Sequence, residues 1–289
     1  MKLIESSVQI IEEKDPYKMI ELAGRTCYKS EDKITENSAK EFVDRMIKLG
    51  HGAMLEHGTI YLRIRETVNG NIPPAMLYWR HLTNSTYSKV IYKIEADHPY
   101  EGNYGVLYIT TNLRVLVENN RLDDLQYQVE PTEYHEKRIT AKFICDRGVS
   151  HEFVRHRVFS FAQESTRYCN YSKDKFGNEL TFIKPSWSYF KNISYKDAGY
   201  FDGDVFESSL KKAESCYFKL IEKGWKPQQA RQVLPNATKT ELVMTGFESD
   251  WEHFFELRCS GAAHPDARKL ADELKSLMNV KNIELNSVK

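Results

Sequence analysis

The sequence predicts an α+β fold, a single domain over residues 1–289 in which a mixed or antiparallel sheet is flanked by helices. Two kinds of periodicity carry that expectation. Gly58–Glu66 and Arg138–Cys145 alternate apolar and polar residues, as half-buried strands do, whereas 37–49 and Val205–Lys223 repeat every three to four residues, as amphipathic helices do. A third observation is the order of the segments: they lack the βαβ rhythm of a parallel sheet, and neither a repeat nor a low-complexity linker divides them. The chain is long enough to bury a sizeable core.

The elements follow in order. Ala39, Phe42, Val43, Met46 and Ile47 share one face of the first helix, which Gly50 stops. In the next strand Ile60, Leu62 and Ile64 alternate with Tyr61, Arg63 and Arg65. Residues 67–135 read as an irregular extension rich in Tyr, Asn, Asp and Gly, with one strand (Tyr104–Thr110) and one short helix (Asn112–Glu118). Ile139, Ala141, Phe143 and Cys145 mark another strand, and a helix from Val149 to Arg155 follows it. Phe206, Leu210, Ala213, Tyr217 and Leu220 line one side of the longest helix, which ends at Gly224. Pro227 suits the first turn of a short helix that Pro235 closes. Lys239–Phe247 reads as a strand, Ser249 with Glu252 as a capping box for a helix to Arg258, and His264-Pro265-Asp266 as the start of the last helix.

Charge and cysteine usage narrow the function. Lys and Arg number 41, as do Asp and Glu, so the formal charge is zero; that disfavours a general nucleic-acid or membrane-surface binder. The five cysteines are scattered without a CxxC pair, which points to free thiols in a reducing compartment. The first residues are interrupted by charge too early for a signal peptide, and no apolar run reaches transmembrane length. A cytoplasmic protein is expected.

The chemistry concentrates between Arg155 and Tyr168, a run with three arginines, a histidine and several hydroxyl and carboxyl side chains. Arginine forks suit phosphate and carboxylate oxygens. The plainer alternative for Arg155, His156 and Arg157 is a solvated helix end, where cations complement the dipole. His151-Glu152 opens like a zinc-protease motif, but the next histidine comes five residues later, so the two rings leave different helix faces. His51, Glu56 and His57 lack a third ligand pattern, and no metal is expected. Ser160 and Ser165 lack the glycines of a nucleophile elbow, and no Gly-rich phosphate loop exists, so side chains and helix termini would hold any nucleotide. Arg231 and Arg258 lie in apolar helical stretches and would need anions, from Glu56, Glu152, Glu164 or a ligand phosphate.

Arg155-His156-Arg157, seven intervening residues and Ser165 resemble the signature of the flavin-dependent thymidylate synthases. The likeness extends through Ser160 and Gln163–Tyr168, upstream to Asp146–His151, and to Gly50–His57, Ala230–Pro235 and Phe255–Arg258, in the family's order. The resemblance implies that family's fold and a homotetramer with active sites shared between subunits. It also implies methylation of dUMP to dTMP, with methylene-tetrahydrofolate as carbon donor and FAD, reduced by NADPH, as hydride source. On that reading Arg258 is catalytic, touching the uracil ring and stabilising charge that develops there. Glu152, Arg155, Gln163, Glu164, Ser165, Thr166, Arg167, Arg231 and Arg258 would bind dUMP, with Ser165–Arg167 serving the phosphate in a neighbouring subunit's site. His51, Ala53, Arg155, His156, Arg157, Gln163 and His253 would bind FAD. The family needs no cysteine nucleophile; its cofactor performs the redox step while the protein orients and supplies charge.

Four features depart from the pattern. Glu152 stands where members often carry Gln, which implies a carboxylate that is protonated or turned towards Arg155. Ala53 replaces a small hydroxyl residue at the flavin, leaving backbone contact, and Phe247 replaces an Asn of compact members. The 67–135 extension exceeds the compact members' connection. Two other readings stay open: a flavin-dependent uridine methyltransferase acting on RNA, which the neutral charge disfavours, and a nucleotide-binding homologue without turnover.

Overall fold

The computed structural model describes residues 1–66, 72–82, 85–96, 103–187 and 202–287. Along the chain come β1 (Lys2–Ile4), β2 (Ser7–Ile11), α1 (Pro16–Tyr28), α2 (Ser38–Lys48), α3 (Gly52–Leu55) and β3 (Thr59–Arg65). Next are α4 (Pro74–Arg80), β4 (Lys89–Ala96), β5 (Asn103–Asn112) and α5 (Leu113–Glu118). The third stretch holds β6 (Arg138–Asp146), α6 (Arg147–Phe153), β7 (Ser160–Gln163) and β8 (Thr181–Ile183). The last holds α7 (Asp202–Glu222), α8 (Pro227–Ala230), β9 (Lys239–Phe247), α9 (Glu248–Arg258) and α10 (Pro265–Ser287). The architecture is α+β.

The central sheet has four antiparallel strands in the order β2-β6-β9-β7. Register explains its two faces. Phe143 stands opposite Leu242 and Val8, and Ala141 opposite Met244, so these side chains share one face. That face meets Phe153 of α6, Trp251 and Phe254 of α9, and Leu270 and Leu274 of α10, all buried. Burying each such side chain stabilises the fold by about 1.5–3 kcal/mol. Trp251 Nε1 also donates to the Ile139 carbonyl at 3.1 Å, fixing α9 against β6. On the opposite face Val243 and Ala162 pack with Ala23 of α1. Gly246 admits the next feature of the site: a Cβ there would lie 2.5 Å from the Phe159 ring.

A second sheet, β3-β5-β4, is antiparallel and carries its own core, in which Ile60, Leu62, Ile64, Leu107 and Ile109 meet Phe42, Met46, Met76 and Trp79. Beside a parallel β1-β8 pair, Phe182 of β8 and Leu180 just before it pack with Leu210 and Tyr217 of α7.

The structure corrects several expectations. Residues 67–135 are more ordered than their composition suggests: α4, β4, β5, α5 and a 3-10 turn at Leu122–Tyr127 occupy the described part, while 67–71, 83–84 and 97–102 lie outside the described residues. α9 is not opened by a box of Ser249 and Glu252; Asp250 accepts from the Phe247 amide at 3.1 Å, and Ser249 Oγ donates to Glu136 at 2.5 Å. α1, α3, α4, β1, β2, β4, β7 and β8 add to the elements read from sequence.

Candidate active site

The site grows from two short helices whose C-terminal ends meet. Asp146 caps α6 by accepting from the Val149 amide at 2.8 Å, and Val149 and Phe153 anchor that helix in the core. α9 is anchored by Trp251, Phe254 and Phe255. Arg258, its last residue, reaches across to α6. Its Nε donates to His156 Nε2 at 2.9 Å, its Nη1 to Glu152 Oε2 at 2.7 Å, and its Nη2 to the Glu152 carbonyl at 2.7 Å. Three of the five guanidinium donors are thereby engaged, and two remain for a ligand. Glu152 turns to Arg258, where the sequence suggested Arg155.

His156 is buried between Phe159 and Phe254. Burial first, and then the Arg258 charge, push its imidazole down to about 4, so at neutral pH it is the uncharged acceptor that Arg258 Nε requires. Arg155 and Arg157, on either side, are exposed, and among the described residues their guanidinium groups have no hydrogen-bond or ion-pair partner. His151 is exposed on α6, whereas His156 lies beyond that helix, which ends at Phe153, and is buried.

The second half of the motif lies on β7 and the turn after it. Gln163 Nε2 donates to Ser150 Oγ at 2.8 Å and to Thr240 Oγ1 at 3.2 Å. Glu164 is buried and committed inside the chain, accepting from Tyr171 Oη at 3.0 Å and Lys239 Nζ at 2.8 Å. Ser165 donates its amide to the Cys27 carbonyl at 3.0 Å, and its Oγ accepts from the Arg167 amide at 3.3 Å. Thr166 Oγ1 accepts from Arg231 Nη1 at 3.4 Å, and Arg167 Nε donates to Gln228 of α8 at 3.3 Å. Arg231 is exposed, contrary to the apolar surroundings read from sequence: α8 is only one turn, and the chain passes into a 3-10 turn at Arg231–Val233. Ser165, Thr166, Arg167 and Arg231 are thus brought together as a cationic, hydroxyl-bearing cradle.

His51 and Ala53 lie at the start of α3, both exposed. His253 is exposed on α9, 3.2 Å from Glu256, and Phe247 is buried at the start of that helix. Among the described residues no hydrogen bond or ion pair joins Arg258, Glu152 or His156 to Ser165, Thr166, Arg167 or Arg231.

Sequence reading missed Arg138. Its guanidinium donates to the Glu56 carbonyl at 2.9 Å, Thr59 Oγ1 at 3.3 Å and Ser160 Oγ at 3.2 Å, joining the segment after α3 to β7. Burial pushes it down to about 10. A charge at the outset of an alternating strand was the available signal. Gln228 and Lys239 were missed as well; they are visible only through pairing distant in sequence.

The family model described as "Thymidylate synthase complementing protein" matches residues 9–69 and 131–281. The chain belongs to this family. Residues 70–130, with α4, β4, β5 and α5, fall between the matched segments. The chain is similar to the flavin-dependent thymidylate synthase of Geobacter sulfurreducens, 33% identical over 132 residues, 46% of this chain and 52% of that one. It is also similar to that of Sulfurisphaera tokodaii, 33% identical over 137 residues and 47% of each chain. With the enzyme of Corynebacterium aurimucosum, identity is 25% over 263 residues, 88% of this chain and 72% of the other. The chain spans about half the length of the first two relatives. A solved structure of a UMP/dUMP methylase PolB from Streptomyces cacaoi bound with 5-Br dUMP aligns over 96% of this chain and 92% of that one, with 16% identity and a TM-score of 0.41.

Proposed function

We propose that this protein is a flavin-dependent thymidylate synthase, converting dUMP to dTMP with methylene-tetrahydrofolate as carbon donor and FAD reduced by NADPH. The observation that carries the reading is the Glu152–His156–Arg258 cluster, with two arginine donors left open, in a member of this family. The exposed, unpaired guanidinium groups of Arg155 and Arg157 fit a dianionic pyrophosphate and would hold FAD, together with His51, Ala53, Gln163 and His253. When bound, the reduced flavin supplies the hydride.

The chain's own residues do the rest. Arg258 presents its free donors to a ring carbonyl and stabilises negative charge developing on it, and its three fixed hydrogen bonds leave little reorganisation for that moment. Ser165, Thr166, Arg167 and Arg231 hold the phosphate. A homotetramer in which each site draws on more than one subunit goes with this reading, as the resemblance to the flavin-dependent thymidylate synthases implies. Purified protein should be yellow and should turn dUMP into dTMP when given methylene-tetrahydrofolate and NADPH; colourless, inactive protein refutes the proposal. The pairing of Arg258 with a carboxylate favours, as the second reading, a nucleotide-binding homologue without turnover. In that case dUMP would perturb the flavin spectrum yet no dTMP would form.

A further inference from the structure

Away from that site, a cavity of about 380 Å³ opens beside the N-terminal ends of α6 and α10. Asp146, Asp266, His264, Asn236, Trp187 and Phe206 are among its lining residues. Its volume is that of a small-molecule pocket. Each carboxylate spends one oxygen on the backbone: Asp146 Oδ1 accepts from Val149 at 2.8 Å, and Asp266 Oδ1 from Ser186 at 2.6 Å. Among the described residues neither second oxygen has a hydrogen-bond partner, neither carboxylate is in an ion pair, and no Lys or Arg lines the cavity. The two negative groups also feel one another, since burial and then Asp266 push the Asp146 carboxyl up. Asp266 is only 3% exposed, so water screens that repulsion poorly.

The α6 N-terminus accounts for one oxygen of Asp146 and the Ser186 amide for one of Asp266, but neither accounts for an aromatic wall beside the other oxygens. Trp187 stands edge-on to His264, with ring centroids 5.4 Å apart, and half of its surface is open. Carboxylates beside an indole suit an organic cation, which donates hydrogen bonds to the former and gains cation–π attraction from the latter. A metal is a poor match: among the described residues no group of three His, Cys, Asp or Glu is placed to hold one.

We propose that this cavity binds a small organic cation bearing N–H donors, a primary ammonium or guanidinium, between the two carboxylates and the Trp187 ring. The site is separate from the Arg258 cluster. Agmatine, which carries both head groups, is the probe, followed by calorimetry and tryptophan fluorescence on the full chain. Saturable binding is expected, at least about tenfold weaker in the Asp146→Asn/Asp266→Asn protein, which keeps the acceptor oxygens but loses the charge. Choline, a cation without N–H donors, should bind at least about tenfold more weakly than agmatine. Trp187→Ala, at a half-exposed position, keeps the test open should the double variant misfold, and it too should weaken binding several-fold. No saturable binding, equal affinity in a folded double variant or in Trp187→Ala, equal affinity for choline, or competition by dUMP would each overturn the proposal.

Discussion

Arg258 and Arg231 are both read as anion-binding arginines, yet the chain treats them in opposite ways. The Arg258 side chain is 15% exposed and holds a carboxylate, a carbonyl and an imidazole. Arg231 is exposed and holds one hydroxyl at 3.4 Å. Desolvation accounts for the difference: a guanidinium that gives up most of its water needs partners, whereas one at the surface keeps its hydration and its full charge. The first is therefore oriented and electrically neutralised, and the second is charged and loosely held. On the proposed function, Arg258 contributes geometry to the reacting ring, and Arg231 contributes attraction for the phosphate.

The sharpest way to break this contrast is Arg258→Ala. Turnover should fall by about 10²-fold or more, as when a fixed charge-stabilising donor is removed, while the flavin stays bound. Arg258→Lys should rescue little, because a single ammonium cannot replace a fork whose donors are assigned to three different acceptors. Flavin absorbance and the dTMP formation rate, measured together, check both; activity surviving in Arg258→Ala would remove the ring-activating role. Arg231→Ala should act on the other side of the comparison. It should raise the KM for dUMP by about 10–100-fold, with kcat changed far less, and should lessen the sensitivity of KM to salt. Initial-rate kinetics at two ionic strengths separate these outcomes; an equal loss in kcat would mean that Arg231 also orients the ring.

How far such a site can be read in advance depends on whether its contacts are local. The strands β3 and β6 were legible because alternation survives in each, α2 and α7 because one face of each is apolar, and α10 because His264-Pro265-Asp266 marks its start. α1 was equally open to reading: Asp15 accepts from the Tyr17 amide, Pro16 sits at the first helical position, and Met19, Ile20 and Ala23 are buried. β1, β7 and β8 are three or four residues long and exist by pairing with distant strands, so no local signal marks them. The extension misled by composition, since its polar and tyrosine-rich strands hide a sheet whose core is completed by Phe42 and Met46 of α2. In the motif, residue types indicated anion chemistry as a class, but partner choice is a matter of packing. Nothing near Glu152 in sequence announces Arg258, more than a hundred positions away, or Arg231 reaching back to Thr166.

His156 extends the comparison to stability, because only the Arg258 side has a buried imidazole within it. Its folded-state pKa of about 4 lies below the unfolded value near 6.5. The unfolded chain therefore takes up a proton first as pH falls. Stability is undiminished above about pH 6.5, declines between there and about pH 4, and levels off below, a loss of about 1–3 kcal/mol. His156→Gln keeps an acceptor for Arg258 Nε without titrating, so urea unfolding at pH 7, 5 and 4 should show a shallower decline than in the parent protein. Parallel declines would mean that the pH dependence arises elsewhere.

The smallest expected effect falls on Glu152, and it tests the neutralisation directly. Glu152→Gln preserves an oxygen for Arg258 Nη1 and leaves the backbone carbonyl to Nη2, so the arginine should stay in place. What changes is charge. The cluster goes from neutral to singly positive, and an anionic nucleotide should bind more tightly, with a steeper dependence on salt. The Glu152 side chain is 26% exposed, so solvent screens the change and about two- to tenfold in dUMP affinity is the expected size. Titration of the flavin spectrum with dUMP at low and high salt measures it. Weaker binding instead would reverse the roles drawn above: the carboxylate would then be accepting from a ring N–H, and Arg258 would serve to position Glu152.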